Sequence, residues 1–403
     1  MDTPYDIAMI GAGIVGLATA RELHRRAPGL RIAVLDKEPA PGQHQSGHNS
    51  GVLHSGVYYA PGSLKAQLCV RGKRLMEEFA AEHQIPFSRC GKLIVALEES
   101  ELGRLADLAD RGHANGVSGI RMLDARELRE IEPAAVGIRA LHVPETGIID
   151  FGQVVDAMAA QLRAEGVQVL LGHEVLGVAS RAGHQVLDTT GGEVRATHVI
   201  SCAGLHADRV AGLTAKPTVQ IVPFRGDYYT LAADARHLCQ GLIYPVPDPT
   251  LPFLGVHFTK RVDGSVWAGP NAVLALAREG YGRASFDARD LLETLRYPGF
   301  RRLARTYWRT GAGEVWRDVV KHAFVRELQR YVPAVRSDQL TFGPSGVRAQ
   351  ALALDGSMVD DFHLEGEGSS LHVLNAPSPA ATAALAIAEH LADRAESLFD
   401  LSS

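Results

Sequence analysis

The segment that most constrains the fold lies at the start of the chain. An apolar run over residues 5–10 leads into the sequence Gly-Ala-Gly-Ile-Val-Gly at 11–16. A helical pattern over 15–26 follows, and a second apolar run over 32–35 ends at Asp36. Strand, glycine turn, helix, strand and acid in this order form the fingerprint of a βαβ unit that binds a dinucleotide. The sequence therefore predicts an α/β fold with a Rossmann-like domain.

The residues of this fingerprint each suit one part of a dinucleotide. Gly11 permits a tight turn, and Gly13 lets the backbone approach a pyrophosphate closely. Gly16 allows the helix to pack against the strand, while the Asp36 carboxylate suits the hydroxyls of a ribose. Asp36 favours a free 2′-hydroxyl over a 2′-phosphate, so the pattern argues against NADP and leaves FAD and NAD open.

Composition limits the class of protein. The 403 residues, of which 46% are hydrophobic, suffice for a cofactor domain and a substrate domain. A net charge of −5, from 41 basic and 46 acidic residues, excludes nucleic acid as a partner. The four cysteines are scattered, so we expect reduced thiols, no metal site and a cytoplasmic protein. The sequence shows neither a signal-peptide pattern nor an apolar run of membrane-spanning length, so we expect any membrane contact to be peripheral.

The order of the apolar patterns predicts two interleaved domains. Residues 1–86, 151–215 and 334–403 form the cofactor-binding domain, whereas 87–150 and 216–333 carry the denser Pro, aromatic and His content of a substrate domain. We expect the substrate domain to be α+β and built on a mixed sheet. The periodicities predict helices over 15–26, 64–83, 152–164 and 381–394, and strands over 167–171, 175–179, 185–188, 194–196 and 199–204.

A loop over 45–56 concentrates Gly, Ser and His where a doubly wound fold places its ligand loops. Its backbone and hydroxyls suit a flavin and its pyrophosphate. A histidine here is a candidate general base, because the pKa of an imidazole lies near the working pH. The alternative is an ordinary turn-rich loop, which accounts less readily for His48 and His54 on either side of an apolar pair.

Two other parts of the sequence contain side chains that are candidates for binding a ligand. Arg348 stands between Val347 and Ala349, a setting that favours a half-buried guanidinium holding a carboxylate or phosphate. Its alternative is a structural ion pair. Arg225 and His257 are the polar exceptions in predicted strands of the second sheet, although a lone histidine there is equally a satisfied core residue.

The segment over 375–380 leads into the last predicted helix, with Ser378 as a candidate N-cap. If this helix end faces a flavin, its dipole would stabilise the negative charge that develops on the ring during reduction. A plain capped helix explains the segment equally well.

These motifs together resemble those of a known family. The glycine loop at 11–16, the Ala203-Gly204 turn and the run at 346–348 resemble the D-amino-acid-oxidase type of FAD-dependent oxidoreductase. Within that group the chain is similar to the L-2-hydroxyglutarate dehydrogenase (oxidase) family, through the segments at 47–56, 223–228, 243–248, 252–258, 269–274, 347–350 and 375–379. The resemblance covers about residues 5 to 395. It implies FAD rather than NAD and a glutathione-reductase or D-amino-acid-oxidase type of FAD-binding domain.

The resemblance also implies an activity, namely oxidation of L-2-hydroxyglutarate to 2-oxoglutarate with FAD as the hydride acceptor. In this interpretation His54 is the catalytic base, and the dicarboxylate substrate is held by Arg348, Arg225, His257, Asn271, Gln350 and Tyr59. The cofactor-binding residues are Gly11, Gly13, Gly16, Asp36, Lys37, Ser46, Asn49, Ser50, Val175, Ala203, Gly204, Asn375, Pro377 and Ser378. The alternatives are an FAD oxidase of another small 2-hydroxy acid or amino acid, and a non-catalytic flavoprotein.

One residue departs from the family pattern. Ala60 follows Tyr58 and Tyr59 where the family pattern Y-Y-K-P leads us to expect a lysine. If that lysine touches substrate, Lys65 or another cation must compensate here.

The electron acceptor and the oligomeric state stay open in the sequence. Oxygen, a membrane quinone or a carrier protein would each reoxidise a flavin. Over 296–317, however, arginines interleave with tyrosine, phenylalanine and tryptophan in an otherwise acidic chain. This pattern suits peripheral attachment to anionic lipid, on the cytoplasmic face of the inner membrane. The alternative is a solvated helix whose aromatic residues belong to the core.

Overall fold

The computed structural model describes residues 3–249 and 254–401. Its ten described helices are α1 (Ile14–Arg26), α2 (Leu64–Glu82), α3 (Leu102–Ala114), α4 (Ala125–Ile131), α5 (Phe151–Ala164), α6 (Ala207–Ala211), α7 (Ala288–Arg296), α8 (Pro298–Val319), α9 (Lys321–Gln329) and α10 (Ala380–Phe399). Pro252 and Phe253, in one of the segments on which the resemblance rests, lie outside the described residues.

The described strands form three sheets. They are β1 (Tyr5–Ile10), β2 (Ile32–Asp36), β3 (Val52–Leu53), β4 (Phe87–Ser88), β5 (Lys92–Ala96), β6 (Arg121–Asp124), β7 (Arg139–Val143), β8 (Gly147–Ile149), β9 (Gln168–Leu171), β10 (Val175–Arg181), β11 (His184–Thr189), β12 (Gly192–Ser201), β13 (Val219–Leu231), β14 (Leu242–Pro245), β15 (His257–Lys260), β16 (Val266–Gly269), β17 (Val273–Leu274), β18 (Leu340–Ala353), β19 (His363–Glu367) and β20 (Ser370–Asn375).

The first sheet has eight strands, and a parallel set forms its centre. The order is β10-β11-β12-β1-β2-β9, and β20 also pairs in parallel with β12. β1 and β2 are apolar runs because both faces of the sheet are covered, as is typical of parallel sheets. Helices α1, α5 and α10 pack on one face, while a second apolar cluster covers the other. The predicted Rossmann-like domain is confirmed.

Helices α2 and α10 cross closely, and this crossing supports the wall of the site. A Cβ on Gly72 would lie 2.5 Å from the Ala383 Cα, so glycine is what permits the approach. The next residue toward the start of α10, Thr382, accepts a hydrogen bond from the backbone N–H of His54 at 3.2 Å. Its hydroxyl also donates to the Val52 carbonyl at 3.1 Å. The first turn of α10 therefore fixes the backbone that carries His54.

The second sheet has nine strands in a mixed arrangement, as predicted. Its order is β17-β13-β16-β15-β14-β5-β7-β6, with β18 paired to β13. β13 and β18 run antiparallel from Val219↔Ala353 to Leu231↔Leu340, with one irregularity after Asp227. β18 was predicted in the cofactor-binding domain because that domain was taken to resume at residue 334. This boundary is wrong for β18, because its long pairing with β13 places it in the second sheet.

Two element predictions also need correction. The strands predicted over 194–196 and 199–204 are one continuous strand, β12, because it pairs with β11 over 192–196 and with β1 over 196–201. The last helix runs over 380–399 rather than 381–394, since apolar residues of its final turns, including Ala395 and Phe399, are buried in the main core. The predicted helices near 15–26, 64–83 and 152–164 are confirmed within one residue.

Candidate active site

A cavity of about 1340 Å³ is lined by residues of both large sheets. The predicted site residues on its wall are Gly11, Gly13, Asp36, Lys37, Ser46, Asn49, Ser50, His54, Tyr59, Val175, Ala203, Gly204, His257, Arg348, Gln350, Pro377 and Ser378. Those that lie off the wall are Gly16, Arg225, Asn271 and Asn375. The cavity thus joins the predicted cofactor residues to the predicted substrate residues.

The glycine turn after β1 leaves the start of α1 open to the cavity. Gly11 has φ +108°, and a Cβ there would lie 2.5 Å from the Cys202 carbonyl oxygen. A Cβ on Gly16 would clash with the Gly11 carbonyl oxygen, which is the close packing predicted for this glycine. Gly13 is the N-cap of α1, and a Cβ there would lie 3.2 Å from the Ser46 hydroxyl. Side chains are therefore excluded from the place where the helix end can hold a pyrophosphate.

Asp36 ends β2 on the cavity wall. One carboxylate oxygen accepts the Ala12 N–H at 2.7 Å, and the other accepts the Glu38 N–H at 2.9 Å. These bonds fix the orientation of the carboxylate and leave each oxygen one further lone pair. The arrangement suits the ribose hydroxyls of an adenosine, as the fingerprint predicts.

The loop after β2 folds across the same end of the cavity. The Ser46 hydroxyl accepts the Ile14 N–H at 2.9 Å, at the start of α1. The Asn49 amide donates to the Ser46 carbonyl at 2.7 Å and accepts the Gly51 N–H at 2.9 Å. Asn49 therefore shapes the loop, while Ser46 occupies the helix end that a pyrophosphate would share.

Lys37 is already compensated by acidic neighbours. Its ammonium bonds the Glu38 carboxylate and lies 2.8 Å from a Glu279 oxygen. His44 lies 3.0 Å from the same Glu38 carboxylate, so four charged or polar groups form one cluster at the rim. Lys37 reaches the cavity as part of this cluster rather than as an isolated cation.

The end of the cavity that holds the predicted substrate residues is built around Arg348 on β18. In register, Arg348 lies opposite Phe224 and Gln350 lies opposite Val222. Burial lowers the pKa of Arg348, although a guanidinium stays charged at any working pH. Gln350 donates to the Val359 carbonyl at 3.2 Å and still lines the cavity. This face of the strand pair thus presents a cation and an amide to a ligand.

Two imidazoles face the same space. His54 is half-buried, and burial, the Lys92 ammonium and His257 hold its pKa well below its usual range. Burial lowers the pKa of His257 to about 3, and the charges of Lys92 and Arg348 act in the same direction. The His257 Nδ1 lies 3.1 Å from the Gly255 carbonyl, so Nδ1 carries the proton and Nε2 is free to accept one. Both rings are therefore neutral acceptors at neutral pH.

Tyr59 and Lys65 lie together on the wall beside the position where the family pattern has a lysine. The Lys65 ammonium is 5.5 Å from the centre of the Tyr59 ring and donates to the Asp360 carbonyl at 2.6 Å. Ala60 itself is exposed. Lys65 thus brings an ammonium, paired with the Asp360 carboxylate at 2.9 Å, to the cavity wall from α2, and its compensation for the family lysine stays a prediction.

The structure contradicts the placement of Arg225 and Asn271 in the substrate site. The Arg225 guanidinium lies 3.0 Å from Asp227 and 3.4 Å from Asp318, and it also donates to the Gly282 carbonyl at 3.2 Å. Asn271 accepts the Asp227 N–H at 2.7 Å and donates to Asp318 at 2.6 Å. The Arg225 guanidinium and the Asn271 amide therefore both belong to a buried structural network with Asp227 and Asp318. Because side chains alternate along a strand, Arg225 points away from the face that carries Arg348.

Two predictions for the segment before α10 are also corrected. The Asn375 amide donates to the Val359 carbonyl at 3.0 Å and to the Asp361 carbonyl at 2.9 Å, so it secures a neighbouring loop instead of facing the cavity. Ser378 is not the N-cap, because α10 begins after Pro379 without a side-chain cap. Ser378 instead lies on the wall within hydrogen-bonding reach of the Tyr59 hydroxyl.

Sequence reasoning missed several residues of this wall. Tyr58 and Tyr244 line the cavity, and Tyr244 stacks on His257 with ring centres 3.8 Å apart. Tyr244 lies in the segment 243–248 that carries the family resemblance, and Tyr58 precedes Tyr59 in the family pattern, but neither ring was predicted to line the site. Lys92 had a signal, since it opens the apolar run Leu-Ile-Val-Ala in a buried strand. Thr382 also had one, as the single hydroxyl among the alanines that start α10.

Comparison with known proteins identifies the class. Residues 6–394 match the family model described as FAD dependent oxidoreductase. The chain belongs to this family, its fold is the FAD-binding fold of that family, and its cofactor is FAD. The glycine turn, Asp36 and the uncovered end of α1 fit the ADP part of such a cofactor.

Relatives point to a narrower group. A mitochondrial L-2-hydroxyglutarate dehydrogenase of Nematostella vectensis is 49% identical over 419 residues, covering 98% of this chain and 91% of that protein. An L-2-hydroxyglutarate dehydrogenase of Indibacter alkaliphilus is 44% identical, covering 95% of this chain and 96% of that protein. The mitochondrial L-2-hydroxyglutarate dehydrogenase of Homo sapiens is also 44% identical, covering 98% of this chain and 90% of that protein.

Solved structures support the fold. Dithionite-reduced L-α-glycerophosphate oxidase from Mycoplasma pneumoniae with FAD bound superposes with a TM-score of 0.80 at 22% identity, covering 100% of this chain and 96% of that chain. Glycine oxidase from Geobacillus kaustophilus gives 0.72 at 19% identity, again covering 100% and 96%. At these identities the likeness concerns the fold alone.

Proposed function

We propose that this chain oxidises L-2-hydroxyglutarate to 2-oxoglutarate. The observation that carries the proposal is a cavity that joins the FAD site to a half-buried arginine, Arg348, and two neutral imidazoles. The similarity of 44% to 49% to proteins named L-2-hydroxyglutarate dehydrogenase, over nearly the whole chain, supports the choice of substrate. FAD, when bound, supplies the acceptor for the hydride that leaves the α-carbon of the substrate.

Two cationic groups serve the two carboxylates of this substrate. The Arg348 fork suits the carboxylate beside the reacting carbon, because a guanidinium holds a carboxylate with two parallel hydrogen bonds. Lys65 and the Tyr59 hydroxyl suit the distal carboxylate, since both lie on the same wall. Anchoring both ends fixes which face of the α-carbon is presented to the cofactor.

His54 takes the proton of the substrate hydroxyl in this proposal. Its backbone N–H donates to Thr382, and its carbonyl accepts the Cys69 thiol at 3.4 Å, so its main chain is held on both sides. The imidazole is neutral at working pH because its pKa is lowered by burial and by Lys92. A neutral imidazole on a fixed backbone, close to the cationic groups proposed to bind the substrate, has the properties of a general base.

The substrate assignment is tested by anaerobic reduction of the yellow holoenzyme. L-2-hydroxyglutarate should bleach the flavin absorbance completely, whereas its D enantiomer, L-lactate and L-glutamate should do so much more slowly. Lactate lacks the second carboxylate, and glutamate carries an ammonium where the site expects a hydroxyl. Faster reduction by L-glutamate would indicate an amino-acid oxidase, and no reduction by any of the four would indicate a different substrate.

The base is tested by comparing His54→Asn with His257→Asn. We expect His54→Asn to keep its FAD and to slow anaerobic flavin reduction by roughly 10²–10⁴-fold, the usual contribution of a positioned general base. His257→Asn serves as the matched variant, because it removes the second imidazole of the same wall. If His54→Asn reduces normally while His257→Asn does not, the role belongs to His257.

We also propose that the reduced enzyme passes its electrons to a quinone at an anionic lipid surface. No helix within residues 3–249 and 254–401 is long and apolar enough to cross a bilayer. Helix α8, however, exposes Trp308 and Trp316, each 63% accessible, and Val319 at 70%. Tyr297 and Tyr307 of the same stretch pack into a core cluster, so only part of its aromatic content belongs to the core. Exposed indole rings beside arginines suit the headgroup level of a membrane.

The lipid surface is tested with vesicles of phosphatidylglycerol and phosphatidylcholine. The holoenzyme should sediment with them at low salt and be released as salt rises, because the attraction is screened within a Debye length. Charge reversal at Arg301, Arg302 and Arg305, which are exposed on α8, should abolish sedimentation and leave anaerobic flavin reduction intact. The control is charge reversal at Arg121, Arg126 and Arg129, which are exposed on and around α4.

The holoenzyme bound to these vesicles also serves to identify the electron acceptor. Vesicles that contain a quinone analogue should reoxidise the reduced enzyme much faster than air does. Absence of vesicle binding by the unmodified enzyme at low salt would contradict the lipid surface. Rapid peroxide production in air would identify a true oxidase.

A further inference from the structure

Lys92 is a buried cation behind the wall of the active site. It opens β5 and is 1% exposed. The other buried lysines of the described chain are paired, Lys65 with Asp360 at 2.9 Å and Lys73 with Glu77 at 2.8 Å. Lys92 has no such partner, since no carboxylate of the described residues lies within ion-pair distance of its ammonium. A buried ammonium without a counter-charge is costly, so its retention calls for a functional reason.

The ammonium is surrounded by aromatic rings that separate it from the cavity. Its Nζ lies 4.0 Å from the centre of the Tyr244 ring and 4.9 Å from that of Tyr58. Tyr244 in turn stacks on His257, and both tyrosines line the cavity. Ring faces attract a cation, which offsets part of the cost of burial. The charge of Lys92 is therefore held one ring away from the imidazole of His257.

The pKa values of Lys92, His54 and His257 determine the order in which these groups gain protons. Burial lowers the pKa of Lys92 to about 7, whereas the pKa of His257 is about 3 and that of His54 is well below its usual range. As the pH falls through 7, Lys92 gains a proton first, and its charge then opposes protonation of either ring. The other titratable and charged groups around these three side chains are Cys69, Cys90, Tyr58, Tyr59, Tyr228, Tyr244 and Arg348.

We infer that Lys92 is a positioning residue that holds a proton behind the tyrosine rings and so adds to burial in opposing protonation of His54 and His257. The inference rests on the proposed function, in which a neutral imidazole accepts the substrate proton. It extends that function because it names a charge that lowers the pH at which the base becomes protonated. The same charge favours the binding of a dianionic substrate.

Removal of the charge should shift the titration of both rings in a defined direction. In Lys92→Met the ammonium no longer repels a proton on His54 or His257, so the pKa values of both rings rise. A unit charge at about one ring's distance from an imidazole is worth on the order of one pH unit at the effective dielectric typical of proteins. The pH below which the base is protonated should therefore move upward by about one unit. Lys92→Gln serves as a second neutral variant if the methionine variant does not fold.

The direct test uses the FAD-loaded protein labelled with ¹³C at the histidine ring carbon. The ring signals of His54 and His257, assigned by His54→Asn and His257→Asn, are titrated by NMR in the unmodified protein and in Lys92→Met. The control is Lys321→Met, because the Lys321 ammonium also lies over a tyrosine ring, 5.7 Å from the centre of Tyr229, and its α9 position is outside the cavity wall. Upward shifts in Lys92→Met alone would support the inference, and unchanged titrations would overturn it.

A kinetic test distinguishes this inference from the proposed function. The rate of anaerobic flavin reduction by L-2-hydroxyglutarate should fall at low pH, and Lys92→Met should move that fall upward by about one unit, whereas Lys321→Met should not. If the fall in rate at low pH occurs at the same pH in Lys92→Met as in the unmodified enzyme, the inference about Lys92 is wrong. If L-2-hydroxyglutarate does not reduce the unmodified enzyme at any pH, the substrate assignment fails, while the NMR titration still decides the role of Lys92.

Discussion

The long antiparallel pairing of β13 with β18 is the constraint on which the site depends. Because side chains alternate along paired strands, the register Phe224↔Arg348 and Arg225↔Val347 divides two arginines between opposite faces. Arg348 and Gln350 line the cavity from one face, and the apolar Val347 and Ala349 touch its wall from the other. On the other, Arg225 joins Asp227 in a buried network that holds the sheet to the loop and helix beyond it. A slip of one residue would exchange the ligand face for the structural face.

This division explains how one strand pair can hold both a structural ion network and a ligand-binding arginine. The structural network satisfies its own charges, so it leaves no free cation near the substrate. The cavity wall offers a dianionic substrate Arg348 in the strand pair and Lys65 on α2, the latter paired with Asp360 at 2.9 Å. Behind it, Lys92 adds a third positive charge that the tyrosine rings shield from direct contact. Arg348, Lys65 and Lys92 thus lie around imidazoles whose pKa values are lowered mainly by burial.

The sequence predicted the cofactor end better than the substrate end, for a physical reason. Gly11, Gly13 and Asp36 act within one local βαβ unit, so their spacing alone defines their roles. Arg225 and Arg348 look alike in sequence, because both faces of β13 are buried and the face is set by a partner strand more than 100 residues away. Asn271 was misassigned for the same reason, since its partner Asp318 lies on a distant helix. Lys92 was overlooked although a lysine at the head of an apolar strand is a readable signal.

The central claim is that strand register, and not residue type, makes Arg348 the substrate arginine. It is tested most directly by measuring kcat/KM for L-2-hydroxyglutarate in Arg348→Lys and in Arg225→Lys, each normalised to bound FAD. The account predicts a loss on the order of 2–4 kcal/mol in Arg348→Lys, because an ammonium cannot replace a bidentate fork, with folding and FAD content retained. Arg225→Lys should lower the melting temperature and leave kcat/KM within a few-fold of the unmodified enzyme. The reverse result, with kcat/KM lowered in Arg225→Lys and unchanged in Arg348→Lys, would contradict the account.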